Sequence, residues 1–181
     1  MFKVDIDQRL SLALVEPAFA ASYLDIVFAE RDYLAEWLAW PLFADSEAFF
    51  LTFINKSLHD YADGKSMTCA MVYDNTVVGN ISFNSINPDL KKVEIGYWLS
   101  AHYQGQGIVT KSVSKLIDIA FEQLDMEKVQ ISAAVGNQPS RQVCERLGFE
   151  LEGVISNAEY LNGRIVDHAI YGLKRDKWQQ A

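Results

Sequence analysis

The sequence predicts an α+β fold, a mixed α/β sheet with helices on both faces. Three observations predict it: β-like runs recur along the whole chain, short turn signals join two pairs of them, and a strand, helix, strand unit lies at the centre. Residues 3 to 15 alternate well enough for one or two strands. Residues 17 to 38 then carry Phe19, Tyr23, Ile26, Val27, Leu34, Trp37 and Leu38 at helical spacing, and Trp40-Pro41 ends that region. Asp45 is the expected cap of a further helix, whose stripe Phe49, Phe50, Phe53, Ile54, Leu58 and Tyr61 ends near Gly64. "SMTCAMVY" and "TVVGNISF" follow as two strands joined by a tight turn at Asp74-Asn75. "VEIGYWLS" is a strand with a glycine, Gly96, inside it, a place where a bulge or a close backbone approach is expected. From Gly107 a helix carries Val109, Val113, Leu116, Ile117, Ala120, Phe121 and Leu124 on one face. "KVQISAAV" is the next strand, residues 138 to 147 are a short helix stopped at Gly148, and two last strands flank the hairpin signal Asn162-Gly163.

The chain has 181 residues, half of them apolar and 22% charged, which is enough for one well-buried core. With no internal repeat or Pro/Ser-rich linker, a single domain spanning 1–181 is expected. No run approaches the roughly 20 apolar residues of a membrane helix, and the start lacks the order of segments that makes a signal peptide. A cytoplasmic protein without a membrane partner is therefore expected. Cys69 and Cys144 are too few for a disulfide framework and lack zinc-site spacing, so they read as reduced core thiols. His59, His102 and His168 stand apart in sequence, and no metal is expected. Sixteen basic against 24 acidic residues give a net charge of −8, which argues against nucleic acid as a partner.

The stretch "HYQGQGIVTKS", residues 102 to 112, places two glycines and two glutamines between a strand and a helix. Unpartnered N–H groups at a helix start carry partial positive charge, so a loop stripped of side chains there can surround a phosphate. A tight turn that needs glycine for its dihedrals accounts for the two glycines equally well. The spacing is wrong for a nucleoside-triphosphate loop, and Thr110 stands where a dinucleotide fingerprint needs its third glycine.

What does fit is the pyrophosphate loop of the GNAT superfamily of acetyl-CoA-dependent N-acetyltransferases. The stretch resembles it at Gln104, Gly107 and the surrounding Gly105, Gln106, Ile108, Val109 and Thr110, with Val109 where the family has Gly or Ala. "NQPSRQVCERLGFELEGV" resembles the superfamily's second signature at Asn137, Ser140, Gly148 and Phe149. The chain is most similar to the bacterial branch that acetylates ribosomal protein amino termini, above all the ribosomal-protein-serine acetyltransferases. Trp40-Pro41, "SFNSI", "IGYWL", "YQGQGI" and "AEYLNG" carry that likeness in order along most of the chain.

The resemblance implies a mixed, mostly antiparallel sheet flanked by helices, and acetyl-CoA as co-substrate. It implies as acceptor the amino-terminal serine of a ribosomal stalk protein, with direct transfer in a ternary complex. By the resemblance Glu159 is the base and Ser140 the group that meets the departing thiolate. Cys144 occupies a position where many members have a tyrosine. If Gly96 marks a bulge, the strand at 93–100 would splay from that at 128–134, and Ile95, Gly96 and Tyr97 would contact the cofactor through their backbones. Trp40, Phe83, Tyr97 and Tyr160 are candidate walls of the acceptor pocket, although each reads more readily as core, and Asn84 is a candidate for fixing the peptide terminus. A small amine such as a polyamine, and a non-catalytic acetyl-CoA sensor, stay open as alternatives, as does a homodimer formed through exposed strand edges.

Overall fold

The computed structural model describes residues 2–178. The alternating segment at the start is two strands, β1 (Lys3–Asp5) and β2 (Leu10–Leu14), because Asp7 Oδ1 accepts from the N–H groups of Arg9 and Leu10, each at 2.9 Å, and turns the chain between them. Helix α1 (Ala20–Ala35) follows a short 3-10 turn and leaves helical geometry at Glu30 (φ −132°, ψ 25°). Helix α2 (Glu47–Ala62) starts with Ser46, not Asp45, at its N-cap, and neither side chain caps it. Its buried line is Phe50, Ile54 and Ser57, so Phe53 and Tyr61 of the expected stripe face outward.

Strands β3 (Met67–Tyr73) and β4 (Thr76–Asn87) meet at the expected turn, with positive φ at Asp74 and Asn75. Strand β5 (Lys92–Leu99) leads to α3 (Ile108–Asp118), whose last turn widens into a π-turn over Ile119–Gln123. Then come β6 (Lys128–Ala134), α4 (Gln138–Arg146), β7 (Glu150–Leu161), β8 (Arg164–Lys174) and the short α5 (Arg175–Trp178). The sheet order is β1-β2-β3-β4-β5-β6-β8-β7. Only β5 and β6, joined through α3, run parallel, and every other neighbouring pair is antiparallel. The mixed, mostly antiparallel sheet implied by the sequence is the observed one.

Strand alternation sends apolar residues to both faces. Ile81, Phe83, Val93, Ile95, Val129 and Ile131 pack against Ile108, Val113, Leu116 and Ile117 of α3. On the other face Ala13, Ala70 and Val72 pack against Tyr23, Val27 and Leu34 of α1 and Phe50 and Ile54 of α2. Each fully buried aliphatic or aromatic side chain contributes about 1.5–3 kcal/mol. No residue of β6, β7 or β8 belongs to the second core among the described residues, so the α1/α2 layer stops short and leaves those strands open on that face.

The parallel pairing of β5 with β6 runs from Lys92↔Lys128 to Ile95↔Ile131 and goes no further. Beyond it β5 stays on β4 as far as Leu99, and β6 stays on β8 as far as Ala134. The expected splay is present, but its bulge is not at Gly96. The register slips on β4 between Phe83 and Ser85, so the extra residue is Asn84. Gly96 lies beside it, where an added Cβ would stand 2.9 Å from Asn84 Oδ1. It is a glycine of close approach.

Gly79 makes the same point between backbones. An added Cβ would stand 2.9 Å from Leu99 Cα and closer still to the Trp98 carbonyl oxygen. Gly79→Ala is expected to cost about 1–3 kcal/mol, read as a lower denaturant midpoint at unchanged slope. A midpoint equal to that of the unsubstituted protein would show that β4 and β5 can separate at no cost.

Candidate active site

The glycine loop leads from a 3-10 turn (Ala101–Tyr103) into α3. Gly105 and Gly107 both have φ of +73°, and an added Cβ at either meets nothing within 4 Å. These glycines are required for backbone conformation rather than for room inside the protein. Within α3 the first backbone bond runs from Lys111 N–H to the Gly107 carbonyl, and the N–H groups of residues 105–110 have no partner among the described residues. Gly107 caps α3 without a side chain, and the first turn holds no acid. Free N–H groups and an uncompensated helix dipole meet at one point, which suits an anion. Gln106 is exposed and outside the cleft described below, while Gln104 Nε2 donates to the Tyr33 hydroxyl of α1. Behind the loop Glu30 is almost fully buried and accepts from Ser100 Oγ and Ala101 N–H, both at 2.7 Å.

This loop forms one end of a cleft of about 1600 Å³ that follows the gap between β5 and β6. Ile95, Gly96 and Tyr97 line one side, with Ile108, Val109 and Thr110 beyond them. Ile131 to Ala134, Asn137 and Ser140 line the other. Asn137 Oδ1 accepts from Ser140 N–H at 3.3 Å, the side-chain cap of α4. The Ser140 hydroxyl lies 2.8 Å from the Tyr97 hydroxyl. Burial holds the Tyr97 phenol well above its ordinary range.

The part of the cleft beside Ser140 is completed by the β7–β8 hairpin and the end of α1. Glu159 pairs across the hairpin with Val166, and His168 is two residues further along on the same face. That diagonal brings His168 Nε2 to 3.0 Å from Glu159 Oε2, with the two side chains 23% and 35% exposed. Both line the cleft. The turn residues do more than reverse the chain: Asn162 Nδ2 donates to the carbonyls of Ala35 and Leu38, at 2.8 and 2.9 Å, and Arg164 donates to the Glu36 carbonyl and covers the Trp37 ring. Trp40 and Asn84 line the cleft as expected. Phe83 and Tyr160 do not. Phe83 is fully buried because it alternates with the cleft-facing Asn80 and Ser82, and Tyr160, next to Glu159 on its strand, is 72% exposed on the outer surface.

His168 stands alone in the sequence, where it suggests no metal cluster, yet the Asn162-Gly163 turn fixes the hairpin register that sets it diagonal to Glu159. That turn was the available signal. Glu94, also in the lining, lies in no motif, and Trp98 lies inside "IGYWL" with no role read from it. Among the described residues no cluster of His, Cys, Asp or Glu could hold a metal ion, and no helix is long and apolar enough to cross a membrane.

A sheet that splits beside a bare helix start accommodates a long, thin, phosphorylated ligand, and the class so defined is that of coenzyme A-dependent acyltransferases. The family profile of the acetyltransferase (GNAT) domain matches residues 9–150. A candidate ribosomal N-acetyltransferase of Bacillus subtilis is 34% identical over 182 residues, covering 99% of this chain and 98% of its own. The ribosomal-protein-serine acetyltransferase of Escherichia coli is 30% identical over 168 residues, covering 93% and 94%. The solved structure of a ribosomal L7/L12 alpha-N-protein acetyltransferase in complex with coenzyme A superposes with a TM-score of 0.93 at 28% identity, covering 97% of this chain and 99% of that one. The chain belongs to the GNAT acetyltransferases and is an acetyl-CoA-dependent N-acetyltransferase.

Cys69 and Cys144 are buried and free, and burial pushes each thiol up to about 12. Each stays protonated at any working pH, which removes Cys144 as a nucleophile. Neither is expected to react with a thiol reagent at pH 8 until the protein unfolds. Rapid labelling of Cys144 in the native state would overturn this.

Proposed function

We propose that this protein transfers the acetyl group of acetyl-CoA to the amino-terminal α-amine of a protein, with the terminal serine of a ribosomal protein of the L7/L12 type as substrate. The observation that carries the reading is the half-buried Glu159 carboxylate, held by His168 at 3.0 Å in the same cleft as Ser140. Acetyl-CoA supplies a thioester carbonyl, and the residues of the chain then have three tasks. An α-amine with a pKa of about 7.7 to 8.0 is already partly neutral near pH 7, whereas lysine at about 10.4 is not. A modest base is therefore enough, and Glu159 is suited to take the amine's proton directly or through one water. Ser140 offers a hydroxyl to the sulfur as the carbon–sulfur bond breaks. Backbone N–H groups on the free edge of β5 beyond Ile95 are suited to the carbonyl oxygen, and those of residues 105–110 to the pyrophosphate.

The same reading takes 1–181 as one catalytic domain acting in the cytoplasm by direct transfer, without a metal. Trp40 and Asn84 are then the contacts for the acceptor. A second reading has one observation in its favour. Glu36, Glu94 and Glu159 all line the cleft, which suits a small polycationic amine such as a polyamine.

Thiol release from acetyl-CoA separates these readings. Two serine-first peptides of one sequence are compared, one with a free terminus and a blocked lysine, the other reversed. Release is expected only with the free terminus. Release with spermidine but neither peptide would favour the polyamine reading, and acetyl-CoA binding without release to any amine would favour a sensor. Glu159→Gln is expected to lower kcat by about 10²- to 10⁴-fold while coenzyme A binding is kept. Unchanged turnover would remove Glu159 as the base.

A further inference from the structure

We propose that Tyr97 is a positioning residue that holds the Ser140 hydroxyl with its hydrogen turned toward the leaving sulfur, an inference that rests on Ser140 meeting that sulfur. Three observations carry it. First, the two hydroxyl oxygens are 2.8 Å apart, and the Tyr97 hydroxyl is the only side-chain partner of Ser140 Oγ among the described residues. Second, Ser140 is fixed from the other side as well, its backbone N–H bound to Asn137 Oδ1 at 3.3 Å. The phenol's one hydrogen has the Ser140 hydroxyl at 2.8 Å and the Ser140 carbonyl at 3.4 Å within reach, and the shorter contact takes it, so only the hydroxyl hydrogen of Ser140 is left to be set. Third, Tyr97 lies two residues past Ile95, where β5 parts from β6, so its ring bridges the gap just where the pairing has ended.

The direction of the bond follows from acidity. A phenol is the stronger donor and the weaker acceptor of the two hydroxyls, so Tyr97 donates to Ser140 Oγ and the hydrogen of Ser140 remains free for another acceptor. Donation from the phenol also polarises the serine O–H, since successive hydrogen bonds strengthen one another. As the carbon–sulfur bond breaks, its electron pair goes to sulfur, and the Ser140 O–H bonds to the thiolate as it forms. Tyr97 keeps its proton throughout. Burial raises the phenol's pKa, so at working pH it is present as a donor and never as a phenolate that would reverse the bond. A lone alkyl hydroxyl is a poor acid and rotates freely. The pair converts it into an oriented dipole.

The test reads the thiol of bound coenzyme A through the ultraviolet absorbance of its thiolate against pH, with no turnover required. An oriented hydroxyl stabilises the thiolate, so Tyr97→Phe and Ser140→Ala are each expected to raise the bound thiol's pKa by about one unit, and the double variant by no more than either alone. Desulfo-coenzyme A, which lacks the sulfur, should bind all three variants as it binds the unsubstituted protein. Turnover of Tyr97→Phe should fall about 10- to 100-fold at unchanged KM for acetyl-CoA. If Ser140→Ala moves the thiol pKa and Tyr97→Phe does not, Ser140 acts alone and the proposal fails. If Ser140→Ala itself leaves the thiol unmoved, the assignment of Ser140 falls and the proposal with it. If Tyr97→Phe weakens desulfo-coenzyme A as much as coenzyme A, Tyr97 is a wall of the cleft and nothing more.

Discussion

The end of pairing between β5 and β6 is the constraint on which the site depends. A parallel pair inside a sheet normally satisfies both edges of each strand. Here each strand keeps its outer neighbour and loses the inner one after Ile95 and Ile131, so backbone groups and side chains from two directions face one gap. The single extra residue at Asn84 changes the twist on the β4 side only, while β6 remains in register with β8. The strands then diverge without either being frayed. The glycine loop continues from the end of β5 and the tip of the β7–β8 hairpin extends past the end of β6, so the two flank the mouth of the gap from its two sides.

Charge is distributed along that gap in a way the net value conceals. A protein of charge −8 repels a polyanionic cofactor at long range, so attraction must be local. The cations lining the cleft are Lys111 and Arg146, both beside the start of α3, and Lys111 is already paired with Asp7 at 2.7 Å. Arg146 donates to Thr110 Oγ1 at 3.3 Å, at the edge of the bare N–H groups. The carboxylates Glu36, Glu94 and Glu159 line the cleft away from that start. Anion at one end and ammonium at the other is the arrangement that acetyl transfer from coenzyme A to an amine requires.

Which features were legible in the sequence follows from how local their causes are. Gly105 and Gly107 announce positive φ, and Asp74-Asn75 and Asn162-Gly163 announce hairpins, because each acts within a few residues. The parallel β5–α3–β6 unit followed from the periodicity of α3. The bulge was placed one strand away from its true position, since an inserted asparagine has no local signature whereas the glycine that accommodates it does. Phe83 is readable in the sequence both as pocket wall and as core, because the side of a strand that faces a cleft depends on which face the helices cover, and α1 and α2 cover only part of theirs; the structure makes it core. His168 was invisible singly and follows only from register. The Tyr97–Ser140 bond joins residues 43 apart across two elements, and nothing in either segment alone announces it.

Helix α1 ties the two ends of the cleft together. Its buried Glu30 accepts from the 3-10 turn that launches the glycine loop, and Tyr33 one turn later accepts from Gln104 of that loop. At its far end the carbonyls around Ala35, Glu36 and Leu38 accept from Asn162 and Arg164 of the hairpin that carries Glu159. Carbonyls at a helix end need partners, and the hairpin tip supplies them. The kink at Glu30 lies between the segment whose Tyr23 and Val27 enter the core and residues 33–38, which bond to both loops. A displacement of α1 therefore moves the loop suited to phosphate and the carboxylate suited to the amine together. In a direct transfer, where thioester and amine must meet in one complex, a shared support keeps the distance between the two reacting groups from depending on two independent loops.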